Sequence, residues 1–133
     1  MKISIDTNVL VRFILQDDPV QMEIANDLLE KASSIAISLP CLCEMMWILQ
    51  RSTKLSKNKL IEILENVLSV QKFKLNRPAV LQGLELFKMG GDFADAIMEY
   101  EGALLGGDTF YSFDKKAIRL LQEQGKSVQL LKN

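Results

Sequence analysis

The segment Lys2-Ile3-Ser4-Ile5-Asp6-Thr7-Asn8-Val9-Leu10-Val11-Arg12-Phe13 sets the pattern of the fold. Residues 2–5 are typical of a short buried strand. Residues 7–13 are typical of a short helix, which Asp6 or Thr7 would cap by accepting a hydrogen bond from a backbone N–H group. The polar residues therefore stand where a strand ends and a helix begins, and functional side chains of open α/β sheets collect at such junctions.

The same alternation continues along the rest of the chain. Further strands are predicted at 34–38, 73–76, 109–113 and 127–131. Further helices are predicted at 17–31, from 40, from 56, and at 78–88, 92–105 and 115–124. Strands that alternate with helices predict a parallel sheet covered on both faces. We expect a single domain over residues 1–133, with three α/β/α layers around a central parallel sheet of about four to five short strands.

The composition excludes several kinds of catalysis. The chain has no histidine, so Ser-His-Asp and Cys-His chemistry and His-ligated zinc are not available to it. Catalysis would have to use carboxylates, metal ions and backbone groups. The formal net charge is −1, so overall charge gives no reason to expect general affinity for nucleic acids. An RNA-binding role would need a local basic patch or a metal ion in an acidic site.

The two cysteines and the hydropathy pattern indicate a cytoplasmic protein. Cys41 and Cys43 lie two residues apart on a predicted helix and so point to different faces, which favours neither a disulfide nor a zinc pair. We expect buried free thiols, which suit a reducing cytoplasm. No signal peptide is recognisable, and no apolar run reaches the roughly 18 residues that a membrane helix needs.

Glu44 is the most unusual acid in the chain, because it interrupts the apolar run of residues 39–49. A buried carboxylate without a partner is energetically costly, so such a group normally shifts its pKa, pairs with a cation or binds a metal. We expect Glu44 to be a functional group. The simpler alternative is an exposed position on a partly apolar helix surface.

Other acids follow strands or open helices. Asp6 and Asp114 each follow a predicted strand, and Asp92 and Asp95 open the helix at 92–105. Each has a simpler explanation, as a helix cap or as a first-turn acid that interacts favourably with the helix dipole. Carboxylates that converge in a cleft would repel one another, and a hard dication would remove that repulsion. Oxygen ligands without histidine or cysteine favour Mg²⁺ or Mn²⁺.

At these acids the sequence resembles the PIN-domain ribonucleases, and among them the small VapC-type toxins of bacterial toxin–antitoxin pairs. Four segments carry the resemblance, and their order and spacing cover nearly the whole chain. They are Ile5-Asp6-Thr7-Asn8-Val9-Leu10, Glu44 early on its helix, Gly91-Asp92-Phe93-Ala94-Asp95-Ala96-Ile97, and Ser112-Phe113-Asp114-Lys115-Lys116-Ala117.

The resemblance implies a site, a reaction and partners. Asp6, Glu44, Asp95 and Asp114 would be the acidic quartet that holds Mg²⁺ or Mn²⁺, with Asp92 as an accessory acid. Polar support would come from Thr7, Asn8 and Ser112. The expected activity is metal-dependent endonucleolytic cleavage of RNA, blocked by a cognate antitoxin. Members of this family often form dimers, so a homodimer is also expected.

Two basic clusters are candidates for RNA contact. The clusters comprise Arg51, Lys54, Lys57 and Lys59 in the first and Lys115 and Lys116 in the second. Ordinary solvated surface is the alternative for each cluster.

Two other function classes compete with a ribonuclease. A phosphatase-like enzyme would also use magnesium, but the Asp-x-Asp pattern is missing because Thr7-Asn8 follows Asp6. A non-catalytic binding module is the third class, and the presence of all the expected acids counts against it.

Overall fold

Short strands and helices alternate along the chain, as the sequence predicts. The structure is a computed structural model that describes residues 1–132. In this part of the chain the elements are, in order, β1 (Lys2–Ser4), α1 (Thr7–Leu15), α2 (Pro19–Lys31), β2 (Ser34–Ala36), α3 (Leu39–Ser52), α4 (Lys57–Ser69), β3 (Phe73–Lys74), α5 (Arg77–Lys88), α6 (Phe93–Leu104), β4 (Phe110–Ser112), α7 (Lys115–Glu123) and β5 (Val128–Leu130). Each predicted helix and strand is present, with small differences at its ends.

Most of these helices begin at a side-chain cap. In each case the cap oxygen accepts a hydrogen bond from a backbone N–H group of the first turn, which would otherwise have no partner. The caps are Asp6 for α1, Asp18 for α2, Ser38 for α3, Ser56 for α4, Asp92 for α6 and Asp114 for α7. Three acids of the candidate site are therefore structural caps as well.

Residues Met1–Asn76 form one compact unit. Its three strands pair in parallel in the order β1-β2-β3, with Ile3 opposite Ile35 and Ile35 opposite Phe73. Ile35 on the central strand is 1% exposed, whereas Ile3 is only half-buried and its neighbours in β1 are exposed. The expectation of a buried first strand is therefore wrong.

Residues from Arg77 onward form a second compact unit. In it β4 and β5 pair in parallel, with Phe110 opposite Val128. The core of this unit is built from side chains of α5, α6 and α7 together with one residue from each strand. Its members are Leu86, Ala96, Leu120, Leu121, Phe110 and Val128.

The predicted class, an α/β fold with parallel strands, is confirmed. Hydrogen bonds join the strands as a set of three in the first unit and a set of two in the second. That the whole chain forms a single domain stays a prediction. No helix within residues 1–132 combines the length and the apolar character that crossing a membrane requires.

Candidate active site

Asp6 is held at the start of α1 by its capping hydrogen bond. Its Oδ1 atom accepts from the backbone N–H of Val9 at 3.0 Å, and the residue is exposed. Among the described residues, no other hydrogen bond to this carboxylate is present. The cap uses one oxygen and fixes the orientation of the group, so capping and cation binding are compatible roles for Asp6.

Cys41 shows that Asp6, Thr7 and Glu44 lie in one neighbourhood of the first unit. Burial raises the pKa of the Cys41 thiol, a hydrogen bond from Thr7 lowers it, and the charges of Asp6 and Glu44 raise it further. Thr7 is itself buried, at 8% exposure. The Thr7 side chain thus has a hydrogen-bond partner on α3, and its support of the site stays a prediction. Sequence reasoning treated Cys41 only as a core thiol and missed its place between two acids.

Glu44 is exposed, so the expectation of a buried carboxylate is wrong. One stripe of α3 faces the solvent even though most of residues 39–49 are apolar. Its exposed positions recur every three or four residues. This stripe comprises Pro40, Glu44, Trp47 and Arg51. At about 100° per residue these four side chains share one helix face, and Glu44 lies on it beside Trp47.

The other apolar residues of this segment belong to the core. Met45 is 0% exposed and Met46 is 2% exposed, so neither can be a surface for a partner. Trp47 is 56% exposed, and the guanidinium carbon of Arg51 lies 4.5 Å from the centre of its ring. Although the segment 39–49 is apolar in sequence, the exposed face of α3 combines polar residues with one aromatic side chain.

In the second unit, a Gly-Gly turn between α5 and α6 places Asp92. Gly90 has a φ of 97°, which side chains other than glycine rarely adopt. A Cβ atom on Gly91 would lie 2.7 Å from Cγ of Leu86. After this turn, Oδ1 of Asp92 accepts from the backbone N–H of Ala94 at 2.7 Å and caps α6.

Asp95 is the most perturbed acid of the second unit. It stands in the first turn of α6 and is half-buried. Burial, then the charge of Asp92, then the charge of Asp114 raise its pKa from 3.8 to about 6. A carboxyl group in this state gains from any cation that replaces its lost hydration and offsets its two acidic neighbours.

Asp114 completes this acidic group from the start of α7. Its Oδ1 atom accepts from the backbone N–H of Ala117 at 3.0 Å, and its own N–H donates to Oγ of Ser112 at 3.0 Å. Ser112 thus stabilises the turn that leads from β4 into α7, and its support of the site stays a prediction. The acid itself is exposed.

Glu99, which shares the flank of α6 with Asp92 and Asp95, has its own partner. Its Oε1 atom lies 3.7 Å from Nζ of Lys126, and its side chain is 12% exposed. This ion pair ties α6 to the segment before β5 and gives Glu99 a structural role.

The structure thus brings the predicted acids together in two groups, one in each unit. Asp6 and Glu44 flank Cys41 in the first unit, and Asp92, Asp95 and Asp114 interact in the second. Their donor chemistry fits a hard dication, because every donor is a carboxylate oxygen. Within residues 1–132, no three His, Cys, Asp or Glu side chains lie close enough together to hold a metal ion. The ligand set therefore stays a prediction.

The basic residues of both clusters are on the surface. The first cluster begins in the last turn of α3 and continues into α4, and Lys59 in it pairs with Glu62 at 3.2 Å. In the second cluster, Lys115 lines a cavity of about 430 Å³ with Phe113, Leu130, Leu131 and Lys132. Phe113 is 65% exposed, and sequence reasoning did not single it out. Its position directly before Asp114 was the available signal.

Asn8 lies on the α2 side of α1. It is exposed and lines a cavity of about 340 Å³ with Asp6, Val9 and Arg12 and with α2 residues that include Ile24 and Leu28. Asp6 is therefore at the edge of a largely apolar surface cavity. Support of Asp6 by Asn8 stays a prediction, because within residues 1–132 no hydrogen bond joins the two side chains.

Comparison with protein families identifies the class of this chain. The PIN domain family matches residues 3–121, which cover nearly all of the first unit, most of the second unit and all four predicted motifs. The chain therefore belongs to the PIN domain family. PIN domains are typically metal-dependent nucleases that use Mg²⁺ or Mn²⁺, and PIN nucleases bind RNA. Comparison with curated proteins and with solved structures gave no significant match.

Proposed function

We propose that this protein is a Mg²⁺- or Mn²⁺-dependent endoribonuclease and the toxin of a toxin–antitoxin pair. In this proposal Asp6, Glu44, Asp95 and Asp114 act together on the scissile phosphate, and Asp92 is an accessory acid. The site of action is the cytoplasm, where the thiols of Cys41 and Cys43, which form no disulfide with each other, remain reduced.

The observation that carries the proposal is the raised pKa of Asp95. Burial and the charges of Asp92 and Asp114 bring this pKa to about 6, so Asp95 lies within electrostatic reach of two other acids in a chain without histidine. Such an arrangement opposes stability in the absence of a cation, and perturbed groups of this kind cluster at functional sites. Two of the acids are also caps, so their orientation is fixed before any ligand arrives.

The proposed acids would have different roles, because their burial and hydrogen bonds differ. A bound Mg²⁺ or Mn²⁺ supplies an activated water and neutralises charge on the phosphate. The predicted ligands are Asp95, which is ionised above about pH 6, and Asp6 and Asp114, each of which presents the carboxylate oxygen that its cap does not use. Glu44 is exposed and can meet the incoming RNA as well as the ion.

A cleavage assay with matched variants tests this function. The purified protein should cut single-stranded RNA in Mg²⁺ or Mn²⁺, and EDTA should stop the reaction. Asp95→Asn should abolish cleavage, and Asp92→Asn should weaken it less, because Asp92 is proposed as an accessory ligand. Glu101→Gln is a suitable control, since this exposed acid lies on α6 outside the proposed site. The reverse order of Asp92 and Asp95 would mean that their roles are interchanged.

The antitoxin would bind beside Asp6. The cavity between α1 and α2 has a mostly apolar lining with the Asp6 carboxylate at its edge, and Val20 and Ile24 of α2 are strongly exposed. An antitoxin segment could place apolar side chains in this cavity and a cationic side chain against Asp6. That cation would compete with the metal and with RNA.

Co-expression with the neighbouring small reading frame tests the partner. A stable complex should form, RNA cleavage should stop, and Ile24→Asp should weaken the complex while leaving cleavage by the free protein intact. Val70→Asp is a control on the apolar cavity between α1 and α4, which lies elsewhere in the first unit. A complex that tolerates Ile24→Asp but not Val70→Asp would place the antitoxin in that second cavity. Light scattering on the free protein tests the expected homodimer.

A further inference from the structure

Trp47 is an exposed aromatic side chain with a cation fixed on its ring. It is the only tryptophan in the chain, and it is 56% exposed although the residues on either side of it in sequence, Met46 and Ile48, are buried or half-buried. The guanidinium carbon of Arg51, one helical turn further along α3, lies 4.5 Å from the ring centre. This is the geometry of a cation–π pair, and it holds the indole in a defined orientation at the surface.

The position of this pair on α3 connects it to the acidic site. Glu44 and Trp47 are three residues apart and both belong to the exposed stripe, which places them roughly 4.5 Å apart along the helix axis. The charges of Glu44 and Asp6 both act on the Cys41 thiol, so both acids belong to the electrostatic surroundings of α3. A ligand that contacts Glu44 therefore also comes within reach of the indole.

We infer that Trp47 and Arg51 form a stacking platform for one base of a single-stranded RNA substrate. This inference rests on the proposed ribonuclease function and specifies which nucleotide contact the first unit makes. An unpaired base presents a flat aromatic face that stacks on an indole, and the Arg51 guanidinium adds charge attraction for the adjacent phosphate. A base in a duplex cannot stack in this way, so the platform selects single strands.

The surroundings of Trp47 favour RNA over a protein partner. A protein-binding hot spot usually has an apolar interface around its central aromatic residue. The exposed residues of α3 near Trp47 are instead polar, and the exposed Lys54 and Lys57 follow soon after the helix ends. The large apolar neighbours of Trp47 in sequence, Met45 and Met46, point into the core.

The single tryptophan makes the inference testable by fluorescence. The probe is a short oligouridylate, titrated into the full chain in Mg²⁺ and again in EDTA, with its integrity checked on a denaturing gel. We expect Trp47 emission to be quenched by the single strand and unaffected by an equal concentration of duplex RNA. Trp47→Ala should weaken binding about 5- to 150-fold, as loss of one stacked base does, and Trp47→Phe should weaken it less. Arg51→Gln should also reduce affinity.

Control variants and outcomes separate this inference from the proposed function. Leu81→Ala, at another exposed apolar side chain, should leave RNA affinity unchanged, and circular dichroism should show that each variant is folded. If the wild-type protein cleaves RNA but Trp47→Ala binds it equally well, the inference is wrong and the function stands. If Trp47 emission responds only to a co-expressed protein, the platform is a protein contact and the inference is overturned. If the wild type neither binds nor cleaves RNA, the proposed function is wrong, and the inference that rests on it is wrong as well.

Discussion

Asp95 and Asp92 share the first turn of α6, and burial together with the charge of Asp92 raises the pKa of Asp95 to about 6. Asp114 adds to the same shift from the start of α7. The arrangement is unfavourable for a protein without a bound cation, because Asp95 loses hydration and faces two like charges. The destabilisation of the metal-free protein by the Asp95 carboxylate can be measured.

Asp95→Asn should stabilise the metal-free protein at pH 7. The pKa of Asp95 rises from 3.8 to about 6, and one unit corresponds to about 1.4 kcal/mol, so the upper limit of the gain is about 3 kcal/mol. Partial solvent exposure will reduce it. Urea unfolding in EDTA, with Glu101→Gln as the control, measures the difference. A less stable Asp95→Asn protein would show that the carboxylate is paired with a group that stabilises it.

The same shift predicts how stability depends on pH. An acid whose pKa is raised on folding binds its proton more tightly in the folded state, so its contribution is favourable below pH 3.8 and is lost as the pH rises through about 6. The stability advantage of Asp95→Asn over the wild type should therefore grow between about pH 4 and pH 6 and then level off. A difference that does not change over this range would mean that Asp95 titrates normally.

Metal binding should show the opposite trend with pH. Mg²⁺ binds the ionised carboxylate, so the rise in melting temperature caused by Mg²⁺ should be large at pH 7.5 and small at pH 5, where most of Asp95 is protonated. Differential scanning calorimetry of the wild type and of Asp95→Asn measures this. An equal Mg²⁺ effect in the two proteins at pH 7.5 would remove Asp95 from the ligand set.

The capping acids allow structure and function to be separated. Asparagine caps helices about as well as aspartate, so Asp6→Asn and Asp114→Asn should change stability little, whereas alanine at either position should cost about 1 kcal/mol. Both substitutions at each position should abolish RNA cleavage if the charge is what matters. Denaturant unfolding and cleavage assays measure the two effects. Full activity of Asp114→Asn would mean that Asp114 acts only as a helix cap.

The basic cluster after α3 should contribute to the salt dependence of RNA binding. Replacing Arg51, Lys54, Lys57 and Lys59 with glutamine should weaken binding, and each lost phosphate contact should reduce the slope of log affinity against log salt by about 0.7. Lys31→Gln, at the exposed end of α2, is the control. An unchanged slope would assign this cluster to solubility or to contact with another protein.

The fold could be predicted from sequence because its signals are local. Asp18-Pro19, Ser38 and Ser56 mark helix starts by their own capping chemistry, and the structure places helices there. The pairing of the strands is set by contacts between distant residues, and nothing in two- or three-residue strands specifies it. The half-buried state of Ile3 follows from that pairing and could not be predicted.

The identities of the candidate site residues could be predicted from the sequence, but the burial of their side chains could not. Asp6, Asp92 and Asp114 follow strand ends or turns, which are recognisable positions. Glu44 was expected to be buried because ten apolar or small residues surround it in the run 39–49. Its exposure is set by which face of α3 meets the core, and the long apolar run conceals that face. The i,i+4 spacing of Trp47 and Arg51 was a usable signal, since residues at this spacing are neighbours on a helix.

The most direct test of the proposed ribonuclease function is RNA cleavage by the purified protein with and without metal. We expect Mg²⁺ or Mn²⁺ to support endonucleolytic cleavage of single-stranded RNA, and we expect EDTA to abolish it. Asp95→Asn should be inactive in either metal, although it should be folded and more stable than the wild type in EDTA. Robust cleavage in excess EDTA, or full activity of Asp95→Asn in Mg²⁺, would contradict it.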